Sequence, residues 1–85
     1  MQVFHIVGQQ GSRKSTVALA LQKAWAADRT CVVVDSEDMS IFFDCDPAMA
    51  VAANPTADIL ILEHLPHRFK GAQHGDLIIR TEVAE

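Results

Sequence analysis

The sequence predicts an α/β domain in which about four mostly parallel strands are covered by two or three helices. Short apolar runs rich in β-branched residues alternate with segments of strong helix formers, which is typical of a parallel sheet with helical crossovers. The chain has 85 residues, of which 49% are hydrophobic, and this is enough for one small domain with a thin core. We therefore expect residues 1–85 to form a single domain.

The beginning of the chain predicts a strand, a loop and a helix in succession. Residues 3–7 form a short apolar run that ends at Gly8. From Ser15 onward strong helix formers dominate, and an apolar stripe marks the face that packs on a sheet. The stripe consists of Val17, Leu21, Ala24 and Trp25. Trp25 is accordingly expected in the core rather than in a base-stacking site.

The remainder of the chain predicts three more strands and a second helix. Residues 31–35 are a β-branched run that ends in Asp35, residues 59–62 are purely aliphatic, and residues 77–79 begin a fourth strand. Between the second and third strands, Asp46 and Pro47 are a suitable N-cap and first position for a short helix that ends at Ala53. The segment 64–75 is polar and predicts a connecting loop.

Composition narrows the function classes. The net charge is −4 and the basic residues are scattered, which argues against a surface that binds nucleic acid. No stretch reaches the roughly 20 apolar residues that span a bilayer, and the N-terminus enters the first strand without a signal-peptide pattern. The expectation is a cytoplasmic protein that does not engage a membrane.

The cysteines and histidines do not match a metal signature. Cys31 and Cys45 lack the spacing of a metal or redox motif and are expected as ordinary buried thiols. His64, His67 and His74 fall in one segment, but their spacing fits no standard zinc site. A solvated loop is the expected environment of these three histidines.

The strongest motif covers residues 8–16, Gly-Gln-Gln-Gly-Ser-Arg-Lys-Ser-Thr. It matches the phosphate-binding pattern G-x-x-x-x-G-K-[ST] except that Arg13 replaces the second glycine. In such a loop, backbone N–H groups surround the phosphates, the lysine reaches the β/γ oxygens and the last hydroxyl binds magnesium. The residues expected to contact a nucleotide or phosphate are Gly8, Gln9, Gln10, Gly11, Ser12, Arg13, Lys14, Ser15 and Thr16.

With this motif and the acidic residues that follow its strands, the chain resembles a shortened, degenerate P-loop NTPase of the ParA/MinD type. The matching segments are Lys14-Ser15-Thr16, Asp35-Ser36-Glu37, residues 58–66 with Glu63 in the terminal acidic place, and residues 75–79. The resemblance implies a minimal three-layer fold with strand order 2-3-1-4. It also implies ATP or another nucleotide and Mg²⁺ as cofactors.

Further implications concern individual residues. Lys14 would contact the β/γ-phosphates and Ser15 would bind Mg²⁺. Asp35 and Glu37 would lie beside the metal and the attacking water, and Glu63 would hold the metal through water. Because ligands bind beyond the carboxyl ends of parallel strands, Gly8, Asp35 and Glu63 are expected to converge on one edge of the sheet.

The sequence departs from the family in three respects. Gln9 stands where the family has a signature lysine, Arg13 replaces a glycine, and the later strands that hold the base have no counterpart. We therefore expect weak nucleotide or phosphate binding with little or no hydrolysis. The alternative is a non-enzymatic adaptor or regulator, of phage or mobile-element origin, that retains the fold as a scaffold.

The sequence leaves two alternatives for the role of Arg13 and two for what covers the second face of the sheet. The Arg13 guanidinium is either an added phosphate donor or a side chain that strains and distorts the loop, if the backbone there has a positive φ. Parallel sheets are normally covered on both faces. Either a homodimer or protein partner covers the second face here, or residues 36–54 and 64–75 fold over it.

Overall fold

The computed structural model describes residues 1–9, 11–35, 47–69, 71–73 and 75–82. Within this part of the chain, four strands and two α-helices alternate, with one short 3-10 helix before the last strand. In chain order they are β1 (Gln2–Val7), α1 (Lys14–Trp25), β2 (Cys31–Val34), α2 (Pro47–Ala53), β3 (Ile59–His64), the 3-10 helix (Pro66–Arg68) and β4 (Leu77–Arg80).

The strands form one parallel sheet in the order β2-β3-β1-β4. The predicted α/β architecture and strand order are confirmed. At the carboxyl ends, Val7 of β1 lies opposite His64 of β3 and Arg80 of β4, and Val34 of β2 lies opposite Leu62. The ends of all four strands therefore meet along one edge, which is where ligands of parallel α/β sheets bind.

Helix α1 covers one face of the sheet. Ala18 is fully buried against Ile6, Ile59 and Ile61 of the two central strands. The ring of Trp25 lies 5.0 Å from that of Phe4, measured between centroids. The prediction that Trp25 packs on the sheet with the apolar stripe of α1 is thus confirmed.

One position of that stripe differs. Ala24 is exposed, and Ala18 supplies the close contact with the sheet instead. Both are alanines on the same helix, and only the exact rotation of α1 decides which one meets β1 and β3. The partly buried Val17 and Leu21 pack against this cluster as predicted.

Helix α2 lies on the opposite face. Ala50 is fully buried there with Val3, Leu60 and Leu62, and Val51 packs against the same cluster. The helix begins at Pro47, the position that the sequence predicts, and Asn54 closes its end by donating from Nδ2 to the Ala50 carbonyl at 2.9 Å. The predicted N-cap Asp46 lies outside the described residues.

Strand β3 is the centre of the fold. It lies between β2 and β1, and all six of its residues are buried. The apolar run of residues 59–62 predicts only its first part. The strand continues through Glu63 and His64 because the Gly8 N–H donates to the His64 carbonyl at 3.1 Å.

Candidate functional site

The 8–16 loop starts where β1 and β4 end. Gly8 is buried, and a Cβ there would collide with the Thr81 hydroxyl and lie 2.5 Å from Ser12 Oγ. Ser12 Oγ donates to the Gln9 carbonyl at 2.6 Å and lies 2.7 Å from Thr81 Oγ1. Glycine is therefore required at position 8 by close packing against the segment that follows β4.

Two of the described residues of the loop have a positive φ. Gly11 has φ +83°, and Arg13 has φ 66° and ψ 30°. For an L-residue with a Cβ this conformation costs about 1–2 kcal/mol. The condition under which Arg13 strains the loop is thus met, although α1 still begins at the next residue. Arg13 itself is exposed.

Lys14 folds back over the loop. Lys14 is only 8% exposed, and its Nζ donates to the carbonyls of Gly8 at 2.8 Å and Gln9 at 3.0 Å. Both acceptors are neutral. A positive charge is therefore held at the start of α1 with neutral hydrogen-bond acceptors, which makes this position attractive to an anion.

The helix terminus adds backbone donors. The first helical hydrogen bond runs from the Val17 N–H to the Arg13 carbonyl at 3.1 Å. The N–H groups of Lys14, Ser15 and Thr16 precede it and have no acceptor within the helix. Together with the partial positive charge of the helix N-terminus, these groups favour a phosphate or carboxylate.

Ser15 and Glu63 form the acidic side of the site. Ser15 Oγ donates to Glu63 Oε1 at 3.0 Å, and Glu63 is only 3% exposed. Burial raises the pKa of Glu63, and the nearby charge of Asp35 raises it further, whereas the Ser15 hydrogen bond and the Lys14 charge lower it. A carboxylate and a hydroxyl in contact are ligands that Mg²⁺ accepts, with water and phosphate completing its shell.

The structure brings together most of the residues that the sequence singles out. Lys14 contacts Gly8, Ser15 contacts Glu63, and the charges of Lys14 and Asp35 are both near enough to influence the Glu63 pKa. The predicted convergence at one sheet edge is confirmed. Gln9, Gly11 and the exposed Thr16 belong to the same loop and helix start, while Gln10 and Glu37 lie outside the described residues.

No group of three or more His, Cys, Asp and Glu side chains among the described residues is placed to hold a metal ion. Cys31 is a free, partly buried thiol, and burial raises its pKa. Cys45 and His74 lie outside the described residues. His67 is exposed on the 3-10 helix, as expected of a solvated histidine.

The prediction of a solvated environment for His64 is wrong. This residue is buried on the α2 face of the sheet, within a network of polar side chains. His64 Nε2 lies 2.9 Å from His5 Nδ1, and His5 Nε2 lies 2.7 Å from Asp76 Oδ2. The ring of Phe69 covers both histidines, at centroid distances of 4.9 and 5.4 Å. Burial and the charge of His5 lower the His64 pKa to about 4.

The sequence contains a weak signal for this network of polar side chains. His5 interrupts an otherwise apolar strand, and a polar side chain in a buried strand requires a partner. Asp76 precedes β4 and His64 ends β3, so only the strand order shows that they flank His5. The tautomers follow from the carboxylate: when both rings are neutral, His5 Nε2–H donates to Asp76, and His64 Nε2–H donates to His5 Nδ1.

Compared with protein-family models, with curated proteins and with solved structures, the chain gives no match. The helices of the described residues include none that has the length and apolar character to cross a membrane.

Proposed function

We propose that this protein binds the phosphate groups of a nucleotide, or inorganic phosphate, weakly in the 8–16 loop. The observation that carries the proposal is the buried Lys14 ammonium, which is held between the Gly8 and Gln9 carbonyls at the N-terminus of α1. A phosphate at the helix start would accept hydrogen bonds from the N–H groups of the first turn, which have no acceptor within the helix. It would also balance the Lys14 charge, whose hydrogen-bond acceptors among the described residues are two neutral carbonyls.

Mg²⁺ fits the neighbouring pair of oxygen ligands. The Ser15 hydroxyl and the Glu63 carboxylate lie 3.0 Å apart beside the loop, and Mg²⁺ is usually held by one or two protein oxygens together with phosphate and water. A divalent cation would also favour the ionised form of Glu63, whose pKa burial raises. Phosphate and Mg²⁺ should therefore bind more tightly together than separately.

The proposal is binding with little or no hydrolysis. Phosphoryl transfer depends on the exact placement of the phosphate oxygens, and the left-handed Arg13 puts a Cβ and a long side chain into the loop directly before Lys14. The guanidinium is a phosphate donor as well as an obstacle. We therefore expect an affinity on the order of millimolar, which corresponds to about −4 kcal/mol.

The test is a titration followed by two-dimensional NMR of the backbone amides. Inorganic phosphate, ADP and ATP are added with and without Mg²⁺ to the wild type, to Lys14→Met and to Lys23→Met. Lys23 is an exposed lysine in the last turn of the same helix, so its replacement removes the same charge away from the loop. Shifts confined to residues 8–16 that Lys14→Met abolishes and Lys23→Met preserves are the expected result.

A Ser15→Ala variant separates the metal from the phosphate. It should bind phosphate as the wild type does but lose the gain in affinity that Mg²⁺ provides. Equal binding by Lys14→Met and the wild type would contradict the proposal. ATP turnover that depends on Lys14 would contradict the claim that hydrolysis is negligible.

The second candidate is the non-enzymatic adaptor, and exposed apolar side chains favour it. Leu19 on α1, Met49 on α2, and Leu77 and Ile78 on β4 are each 43–54% exposed. If the wild type shows no shifts while Arg13→Gly shows them clearly, the loop is disabled. The adaptor is then the better description.

A further inference from the structure

Strand β4 is an edge strand with apolar side chains on both faces. Among the residues that the structure describes, β4 pairs with β1 alone, and Leu77 and Ile78 are 51% and 43% exposed. They point to opposite faces because side chains alternate along a strand. Parallel sheets are normally covered on both faces and bordered by charged or protected edges. This edge has the side chains of an interior strand.

The backbone groups at this edge follow from the pairing with β1. The Thr81 N–H donates to the Val7 carbonyl at 2.9 Å. Since N–H and C=O groups alternate in direction along a strand, residues 77, 79 and 81 face β1, and residues 76, 78 and 80 face outward. Ile78 and Arg80 each present an N–H and a C=O to a further strand. Asp76 presents only its carbonyl, because its N–H donates to Gln73 at 3.1 Å.

Charge favours one register for pairing this edge with the same edge of a second copy. In an antiparallel pair, outward-facing residues must lie opposite outward-facing residues. With Ile78 opposite Ile78 of a second copy, Asp76 lies opposite Arg80 of that copy, and the reverse pair forms by symmetry. Shifting the register so that Ile78 faces Arg80 puts Asp76 opposite Glu82, and these like charges repel.

Both members of the Asp76–Arg80 pair have unused capacity. His5 and the Gln73 N–H both contact Oδ2 of Asp76, and no side chain or N–H of the described part of the chain donates to Oδ1. Arg80 is exposed, and no carboxylate within the described residues pairs with its guanidinium. Each copy therefore offers one acceptor and one donor at the positions that the register brings together.

We propose that two copies of this chain associate through antiparallel β4–β4 pairing centred on Ile78, forming a continuous eight-stranded sheet. About four backbone hydrogen bonds, two between the Ile78 residues and two between Arg80 and Asp76, cross the two-fold axis. The Ile78 side chains meet on one face, and Leu77 packs beside Ile79 of the second copy on the other. This association is separate from phosphate binding, because the 8–16 loop contributes nothing to it.

The dimer should be weak because a four-residue edge buries little area. Contacts of this size belong to the low end of specific interfaces, and we expect a dissociation constant on the order of 100 μM. Sedimentation equilibrium of the full chain from about 10 μM to about 1 mM covers this range. The wild type should pass from monomer to dimer over the series.

Charge substitutions at the symmetry axis test the register. Ile78→Lys and Ile78→Glu each place like charges opposite each other and should raise the dissociation constant at least about tenfold, whereas an equimolar mixture should restore a heterodimer. Because Ile78 is 43% exposed, neither variant should unfold the domain, and circular dichroism checks this. Leu19→Lys and Leu19→Glu, which alter an exposed apolar residue on α1, are the matched controls and should dimerise as the wild type does.

The possible results separate clearly. A wild type that remains monomeric at the highest concentration overturns the proposal, as does a dimer that is insensitive to Ile78→Lys. If Ile78→Glu alone dimerises more tightly, residue 78 faces Arg80 and the proposed register is wrong. Loss of association in both single variants with recovery in the mixture supports it.

Discussion

The buried histidine pair predicts that the protein loses stability as the pH falls below about 6.5. His64 is only 2% exposed, and its ring is surrounded by His5 and Phe69. In the neutral network each close N···N or N···O contact has one hydrogen. A proton added to His64 would bring a charge into this enclosed space, where the only carboxylate of the network, Asp76, already accepts from His5.

The magnitude follows from the pKa of His64, which is 6.5 for the ordinary side chain and about 4 in the fold. Between these values the unfolded chain binds more protons than the folded one, so stability falls with decreasing pH. At pH 4 the contribution of this one residue is a loss of about 3 kcal/mol relative to neutral pH. A chain of 85 residues has a total stability of roughly 4–13 kcal/mol, so the loss is a substantial fraction.

Urea denaturation at several values between pH 4 and pH 8 measures this effect. Other groups contribute, and the raised pKa of Glu63 acts in the opposite direction, because acid relieves the cost of burying its charge. The informative quantity is therefore the difference between variants. His64→Phe should flatten the profile by about 3 kcal/mol over this range while lowering stability at neutral pH, because His5 Nδ1 loses its donor.

His67→Gln is the matched control, since it removes an exposed histidine three residues away. Its pH profile should follow that of the wild type. NMR titration of the ring protons gives a direct check: the His64 ring should stay neutral until the pH approaches 4. A midpoint near 6.5, or parallel profiles for His64→Phe and the wild type, would refute the reasoning.

Three further substitutions test the loop and the core. Gly8→Ala should lower the free energy of unfolding by about 2–3 kcal/mol, because its Cβ collides with the Thr81 hydroxyl, and Thr81→Ala in the same chain should recover part of the loss. Arg13→Gly should raise it by about 1 kcal/mol by relieving the left-handed backbone, whereas Arg13→Ala, which keeps the Cβ, should not. Leu60→Ala should lower it by about 2–5 kcal/mol, since Leu60 is fully buried in the central strand. Urea denaturation at neutral pH measures all three, and a destabilised Arg13→Gly or an unaffected Gly8→Ala would contradict the loop geometry.

The parts of the fold that local patterns determine were predictable from the sequence. Apolar runs locate all four strands of the described residues, the Asp46–Pro47 signal places the start of α2, and the strand order is the predicted 2-3-1-4. The contact between Ser15 and Glu63 also follows, because both stand at the carboxyl edge of the sheet. Burial of Glu63 did not follow from its residue type.

The histidine network was not predictable because it depends on contacts between distant parts of the chain. His64 follows the apolar run of β3, and a polar residue at that place is typical of a loop. Its burial results from the hydrogen bond between its carbonyl and the Gly8 N–H, which extends β3 by pairing it further along β1. Asp76 stands before β4 and reaches His5 only because β4 lies next to β1.

The end of β3 connects the two polar clusters of the molecule. Glu63 and His64 are adjacent, and the two-residue period of a strand directs their side chains to opposite faces. Glu63 meets Ser15 on the α1 face, His64 meets His5 on the other, and the carbonyl of His64 holds the Gly8 N–H. The first residue of the loop is therefore anchored by the same short segment that carries the buried acid and the buried histidine. Displacement of this segment would therefore change the loop, the Ser15–Glu63 contact and the histidine pair together.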